Sequence, residues 1–301
     1  MNNFSHVIEE NISPELRLDR YVSEVLCLLS RSQIKARALR AKVNGKDVKL
    51  SRLVKHGDSI ELSWDDISPE NIIAEDIPLN IIYENDNCIV INKAQGMVVH
   101  PGAGNRQGTL ANALLHRCQK EGAFSGASFT SALRPGIVHR LDKETSGVII
   151  AAYNDETCDF LARQFKNRQT RKTYIAVVCG EPKEKKGRLE TFIARDPKNR
   201  KRFTVSSTGK NAVTLYKVIK SNKSHSLLLL RPQTGRTHQL RVHMRYLGHP
   251  VLGDSIYGCK DTRFPNATLM LHSLKLEITL PGETEARVFT SPIPERFKGF
   301  L

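Results

Sequence analysis

Residues 65–80, DDISPENIIAEDIPLN, carry five acids, two prolines and no base, between flanking segments rich in Lys and Arg. Such a shift in composition, with prolines that interrupt regular structure, marks a linker or domain edge. It divides the 301 residues into a short first region and a longer second one. Lys plus Arg total 46 against 31 Asp plus Glu, a net charge of +15, and an excess of that size points to a polyanionic partner, nucleic acid first. With 40% hydrophobic and 26% charged residues, the charge sits on a folded body rather than a disordered tail. The apolar runs Val148 to Tyr153 and Leu227 to Leu230 fall far short of the roughly 18–20 residues of a membrane span. The opening MNNFSHVIEE lacks the basic-then-apolar layout of a secretory leader, so the expected location is the cytoplasm, with no membrane partner. Six scattered cysteines form no C-x-x-C pair; they read as reduced, and no metal site is expected.

Residues 1–15 read as an N-terminal tail and 16–64 as a small domain. Leu18, Val22, Val25, Leu26 and Leu29 recur at helical spacing, and Ser30 with Gln33 forms a capping box that opens a second helix through about Ala41. Val43-Asn44-Gly45-Lys46 supplies the turn of a tight hairpin, His56-Gly57-Asp58 another turn, and Ile60 and Leu62 alternate as in a strand. Arg31 to Lys55 holds nine bases against the single acid Asp47. A solvated helix face explains a basic helix, but phosphate contact explains why the bases run on through the hairpin. Arg31, Lys35 and Lys46 are the expected contacts there.

Beyond the linker, Ile89 to Asn92 reads as a buried strand, and Gly96 to Gly104 as a strand entering a glycine-rich loop that fits neither nucleotide-binding fingerprint. Pro135 to Gly147 is the densest chemical stretch: His139, Arg140, Asp142, Lys143 and Glu144 crowd together before the apolar strand Val148 to Ala152. Spacing alone favours a charged surface turn between two strands, because H-R-x-D occurs in many turns. Arg231 to Arg245 holds four arginines and no acid, and Leu240, Met244 and Leu247 fall at helical spacing. His238 and His243 are five apart and poorly placed as metal ligands, so hydrogen bonding is their expected job. Arg163 to Lys210 carries 15 bases and four acids; within it, the tract Asp196 to Arg202, with Arg200 and Lys201, reads as an exposed phosphate clamp.

Two resemblances follow from these segments. Leu16 to about Ser63, with its RLD opening, SRSQIK helix start, VNGK turn and HGD turn, resembles the alpha-L RNA-binding module. HRLDKETSG at 139–147, RKTYIAVVCG at 171–180 and GRTHQLRVHMRYLGHPVLGDSIYG at 235–258, with GMVVHPGAG and LHSLKL, resemble in order and spacing the signature motifs of the RluA/RluD-like family of RNA pseudouridine synthases, over residues 81–301. Ala94, Tyr153 and Ser273 depart from the residues common at those positions.

The resemblance implies an α+β catalytic domain with a central mixed, largely antiparallel sheet, behind the helix pair and hairpin of the first domain. It implies isomerisation of uridine to pseudouridine in structured RNA, large-subunit ribosomal RNA ahead of transfer RNA, by a monomer without metal or organic cofactor. By motif position Asp142 is the catalytic carboxylate, either attacking the anomeric carbon or removing a sugar proton. Arg241 is implied to pair with it and keep it ionised. Tyr174 is implied to lie against the base, by stacking or by assisting a proton shift. Arg140 is implied to hold the target nucleotide out of its stack, with His139 and Arg236 also toward substrate. The competing classes are a non-catalytic RNA-binding or assembly factor, which the basic patches alone would fit, and a hydrolase built on Asp142 and a histidine.

Overall fold

A computed structural model describes residues 2–9, 15–26, 28–29, 34, 39–64, 72–102, 104–120, 136–199, 201–258 and 261–301. The chain forms two compact units, residues 1–71 and 72–301.

In the first unit the strands are β1 (Asn2–Val7), β2 (Leu16–Arg17), β3 (Arg40–Val43), β4 (Lys46–Val48), β5 (Leu53–Val54) and β6 (Ser59–Trp64). Four of them make a sheet in the order β1-β6-β3-β4, and β2 pairs with β5. The expected tail is therefore corrected: Asn2–Val7 pairs antiparallel with β6 along its whole length. Its partner lies more than fifty residues away, and its outward positions mix Asn3 and Ser5 with Val7, which is 51% exposed, so no clean alternation announces it. The expected hairpin forms at Asn44 and Gly45, both with positive φ (53° and 76°), the geometry that lets two residues reverse a twisted ribbon. Asp58 fixes the neighbouring turn, its carboxylate accepting from the Lys55 N–H and the Asn44 side-chain amide.

Leu18–Arg20 is helical and runs on as a π turn over Tyr21–Val25. Leu18, Val22 and Leu29 are buried in the small core with Tyr21, Ile60 and Trp64, whereas Val25, expected to join them, is 38% exposed. The second helix was expected to reach Ala41, but Arg40 and Ala41 belong to β3. Arg31 and Lys35 lie outside the described residues.

The second unit is built on a ten-stranded sheet. Its strands are β7 (Ile81–Glu84), β8 (Cys88–Lys93), β9 (Ser146–Ala152), β10 (Arg171–Cys179), β11 (Lys186–Arg195), β12 (Phe203–Val205), β13 (Lys210–Asn222), β14 (His225–Pro232), β15 (Leu271–Thr279) and β16 (Ala286–Thr290). The order is β12-β11-β13-β14-β10-β15-β9-β8-β7, with β16 added to β15. One pair, β15 with β9, is parallel and the others are antiparallel, so the sheet is mixed and largely antiparallel as expected. The Met97–His100 segment, expected to be a strand, makes only a bridge from Val98 to Thr109.

Alternation along β8 and β9 covers both faces of the sheet. Ile89, Ile91, Ile149 and Ala151 enter one core with Leu114, Leu240 and Met244; Cys88, Val90, Val148 and Ile150 enter the other with Leu161. The helices Leu110–Lys120 and Gln239–Tyr246 thus serve one face and Asp155–Lys166 the opposite one. Asn154 caps the last of these, accepting from the Thr157 N–H at 2.8 Å. Residues 72–80, expected in the linker, belong to this unit: Glu75 accepts the Gly108 N–H just ahead of the helix that starts at Leu110, and Asn112 donates to the Ile73 carbonyl. A carboxylate is favoured at that helix start.

Candidate active site

The parallel contact between β9 and β15 sets the site. Gly147 pairs with Ser273 at φ +110°, and a Cβ there would stand 2.2 Å from the Ser273 carbonyl oxygen. Only glycine allows this approach. The loop just before β9 carries Asp142, and it is fixed from behind. Lys93, whose side chain is fully buried, donates from Nζ to the carbonyls of Ala94 and Met97 at 2.8 Å and of Lys143 at 3.2 Å. Burial lowers its ammonium to about 8, against the pull of Glu144 and Asp142. Gln95 donates to the carbonyls of Glu144 and Leu269, and the Thr145 N–H closes the loop on the Asp142 carbonyl at 3.0 Å.

Asp142 lines a cavity of about 550 Å³ together with Arg140, Tyr174, Arg236, His238 and Arg241. The three residues expected to be catalytic, drawn from sequence positions up to 99 apart, meet there. Tyr174 is buried on β10, beside a register shift between Thr173 and Tyr174 in the pairing with β15. Its hydroxyl is pushed up to about 12, chiefly by burial, with the Asp142 charge adding and a hydrogen bond to Ser273 opposing. The phenol is therefore protonated at neutral pH.

Arg241, on the first turn of the helix Gln239–Tyr246 and 4% exposed, departs from the expected pairing in one respect. Its fork grips Asp254, with Nε to Oδ2 at 2.7 Å and Nη2 to Oδ1 at 2.8 Å, while Nη1 faces Asp142 Oδ2 at 3.4 Å. Burial works to raise the Asp254 carboxyl, but the Arg241 hydrogen bonds and charge, with the Tyr257 and Ile256 N–H groups, hold it below the usual range. Two edges of one guanidinium thus serve two carboxylates. Arg241 also lies over the Tyr257 ring, 5.1 Å from its centroid.

The other expected contacts divide. Arg140 is exposed at the cavity and Arg236 is partly buried, donating from Nε to the Asn211 carbonyl at 3.0 Å. His139 borders the cavity, but its Nε2 accepts the Ile150 N–H at 3.0 Å and its ring stacks on Phe165 at 4.4 Å. Burial, helped by Lys172, lowers it to about 3, so its visible work is to hold the loop to β9. Lys46 and Lys201 are exposed, on β4 and in the loop after β11; Arg200 lies outside the described residues. His243 sits between Thr191 and Thr214 at 3.0 and 2.8 Å, a satisfied core histidine. Sequence reading missed Asp254, Lys93 and Lys172. The last lines the cavity with an ammonium lowered by burial; its place directly before Thr173 and Tyr174 was the available signal.

Among the described residues one group of metal-type donors gathers away from this cavity: Cys179, His225 and Asp261, within 4.8 Å. His225 Nε2 and Asp261 Oδ2 are 2.7 Å apart, the separation of a direct hydrogen bond and closer than two ligands about 2.0–2.2 Å from one tetrahedral ion would sit.

A carboxylate, a phenol and a guanidinium around one cavity give the chain the equipment of an enzyme working by nucleophilic or acid–base chemistry. Comparison with known proteins narrows that class. The profile of the RNA pseudouridylate synthase family matches residues 87–246. The chain is 47% identical to the ribosomal large subunit pseudouridine synthase D of Borreliella burgdorferi, over 95% of this chain and 89% of that one. It is 41% identical to an RNA pseudouridine synthase of Aquifex aeolicus, over 98% and 96% of the two chains. In structure it resembles human RNA pseudouridylate synthase domain containing 1, with a TM-score of 0.56 and 30% identity over 73% of this chain and 85% of that one. The chain belongs to the RNA pseudouridylate synthase family, as its motifs implied.

Proposed function

We propose that the chain isomerises particular uridines to pseudouridine in structured RNA, large-subunit ribosomal RNA first, with Asp142 as the catalytic carboxylate. The observation that carries this reading is the convergence of Asp142, Tyr174 and Arg241 on one cavity. The reaction breaks the bond from C1′ to N1 and forms one from C1′ to C5; N1 takes up a proton and C5 gives one up, so no atom is gained or lost. Asp142, 18% exposed at its side chain, starts it by attacking C1′ or by removing a sugar proton. Arg241 sets a positive charge 3.4 Å from that carboxylate in a partly closed site, and its own burial is compensated by Asp254. Tyr174 supports the detached uracil, stacking worth about 1–3 kcal/mol. Arg140, exposed at the rim, takes the place of the extruded base or meets its phosphate.

Ribosomal RNA is favoured over transfer RNA because the Borreliella burgdorferi relative is named for the large ribosomal subunit. Residues 16–64 serve as an alpha-L RNA-holding module, with Lys46 toward phosphate, and Lys201 does the same on the catalytic unit. The enzyme works as a monomer in the cytoplasm; no helix among the described residues is long and apolar enough to cross a membrane. Mapping pseudouridines in cells with and without the gene tests the substrate. Loss at one or more large-subunit sites is expected; an unchanged ribosome with a loss in transfer RNA would move the assignment.

A further inference from the structure

His238 is the residue of this site whose geometry the reading above leaves unused. It immediately precedes the helix Gln239–Tyr246 in the left-handed region, φ 57° and ψ 15°, a conformation that costs a side-chain-bearing residue about 1 kcal/mol or more and persists only where surroundings enforce it. Two rings enforce it here. Phe203 and Tyr257 meet the imidazole edge-on at 5.6 and 5.5 Å, and Tyr257 Oη stands 2.8 Å from Nδ1.

The hydrogen bonds around Tyr257 favour one tautomer. Its oxygen accepts the Phe203 N–H at 2.8 Å, and its single proton has, among the described residues, His238 Nδ1 as its acceptor. Nδ1 therefore accepts, and the imidazole proton sits on Nε2. That nitrogen lies 3.9 Å from Asp142 Oδ2, the same oxygen that faces Arg241 Nη1 at 3.4 Å. The charged groups around the ring are Asp142, Arg241, Asp254 and Arg140, and desolvation, the largest influence, lowers the imidazole and keeps it neutral.

We propose, on the reading of Asp142 above, that His238 is a positioning residue: with substrate bound, its Nε2–H closes onto Asp142 Oδ2, so that His238 and Arg241 together occupy one carboxylate oxygen and leave Oδ1 for the sugar. Both separations are longer than a mature hydrogen bond, as catalytic contacts often are before substrate tightens them. Asp142 has two ways to turn about its side-chain bonds, and two donors on one oxygen remove that freedom.

The test compares His238→Gln, which keeps an N–H donor near the place of Nε2, with His238→Met, which fills similar space without one. Full-length protein acts on large-subunit ribosomal RNA transcribed with uridine tritiated at carbon five, and single-turnover tritium release, RNA affinity and Tm are measured. His238→Met is expected to lose on the order of 100-fold in rate with RNA affinity within about twofold, and His238→Gln to regain at least about tenfold of that rate. A His238→Met rate near wild type, an equal loss in affinity, or no recovery in a folded His238→Gln overturns the proposal. Asp142→Asn, assayed beside them, separates the two ideas: if it still turns over, the reading of Asp142 fails, whereas a dead Asp142→Asn beside an active His238→Met removes His238 alone.

Discussion

Arg241 is held by Asp254, through both carboxylate oxygens at 2.7 and 2.8 Å, and only its remaining nitrogen faces Asp142. The pair is buried, with side chains 5% and 0% exposed. Removing one member of a buried pair leaves the other charge uncompensated, at about 3–5 kcal/mol. Asp254→Ala is expected to lose that much in urea unfolding and to fall in rate through a misplaced Arg241. Asp254→Asn, which keeps the shape, should stay folded and still be slow. Unchanged rates in both would sever Asp254 from the site.

Lys93 tests the support behind the loop that carries Asp142. Lys93→Met keeps the apolar stem but removes three hydrogen bonds to backbone carbonyls, one of them on Lys143 beside Asp142. The expected result is a folded protein slowed on the order of 100-fold, because small misplacements of a reacting group are that costly. Tritium release and RNA affinity, measured together, should show the loss in rate and not in binding.

Gly147→Ala meets two obstacles at once, a φ of +110° and the Ser273 carbonyl oxygen 2.2 Å away. The β9–β15 contact must open, costing at least about 2 kcal/mol. Thermal unfolding should show a Tm several degrees lower, and a wild-type Tm would contradict this account of the parallel pair.

Acid should destabilise the catalytic unit before its carboxylates titrate. His243 and His272 are fully buried, and burial lowers each from 6.5 to about 4, Arg296 adding to the effect at His272. Their folded pKa values lie below the unfolded one, so between pH 6.5 and 4 the unfolded chain binds protons that the folded chain does not. Stability is complete well above pH 6.5 and drains as pH falls toward 4, by up to about 1.4 kcal/mol per pH unit for each histidine. Chemical denaturation between pH 7 and 5 should show this slope, and His243→Gln should reduce it.

Much of the site was legible because its residues sit in short motifs whose local chemistry is dense. Asp142, Tyr174 and Arg241 were each placed by the family motif around them, whereas the close approach at Gly147 has no mark in the sequence beyond its place at the end of the charged stretch. Asp254 could not, because its meaning is a contact across 13 positions of sequence in a loop without hydrophobic period. Lys93 was hidden by the rule that a lysine is usually outside. In the fold, the Asn-Gly hairpin announced itself through its turn geometry, whereas β1 depends on a partner far along the chain. Arg40 and Ala41 carry a helical pattern locally, yet pairing with β6 makes them strand, tertiary contact outweighing propensity.

The central claim is that Asp142 carries the chemistry, and Asp142→Asn tests it most directly, in tritium release from C5-labelled ribosomal RNA alongside RNA affinity. The account predicts that release is abolished while the RNA is bound as tightly as by the wild type. Turnover retained in that variant would contradict it.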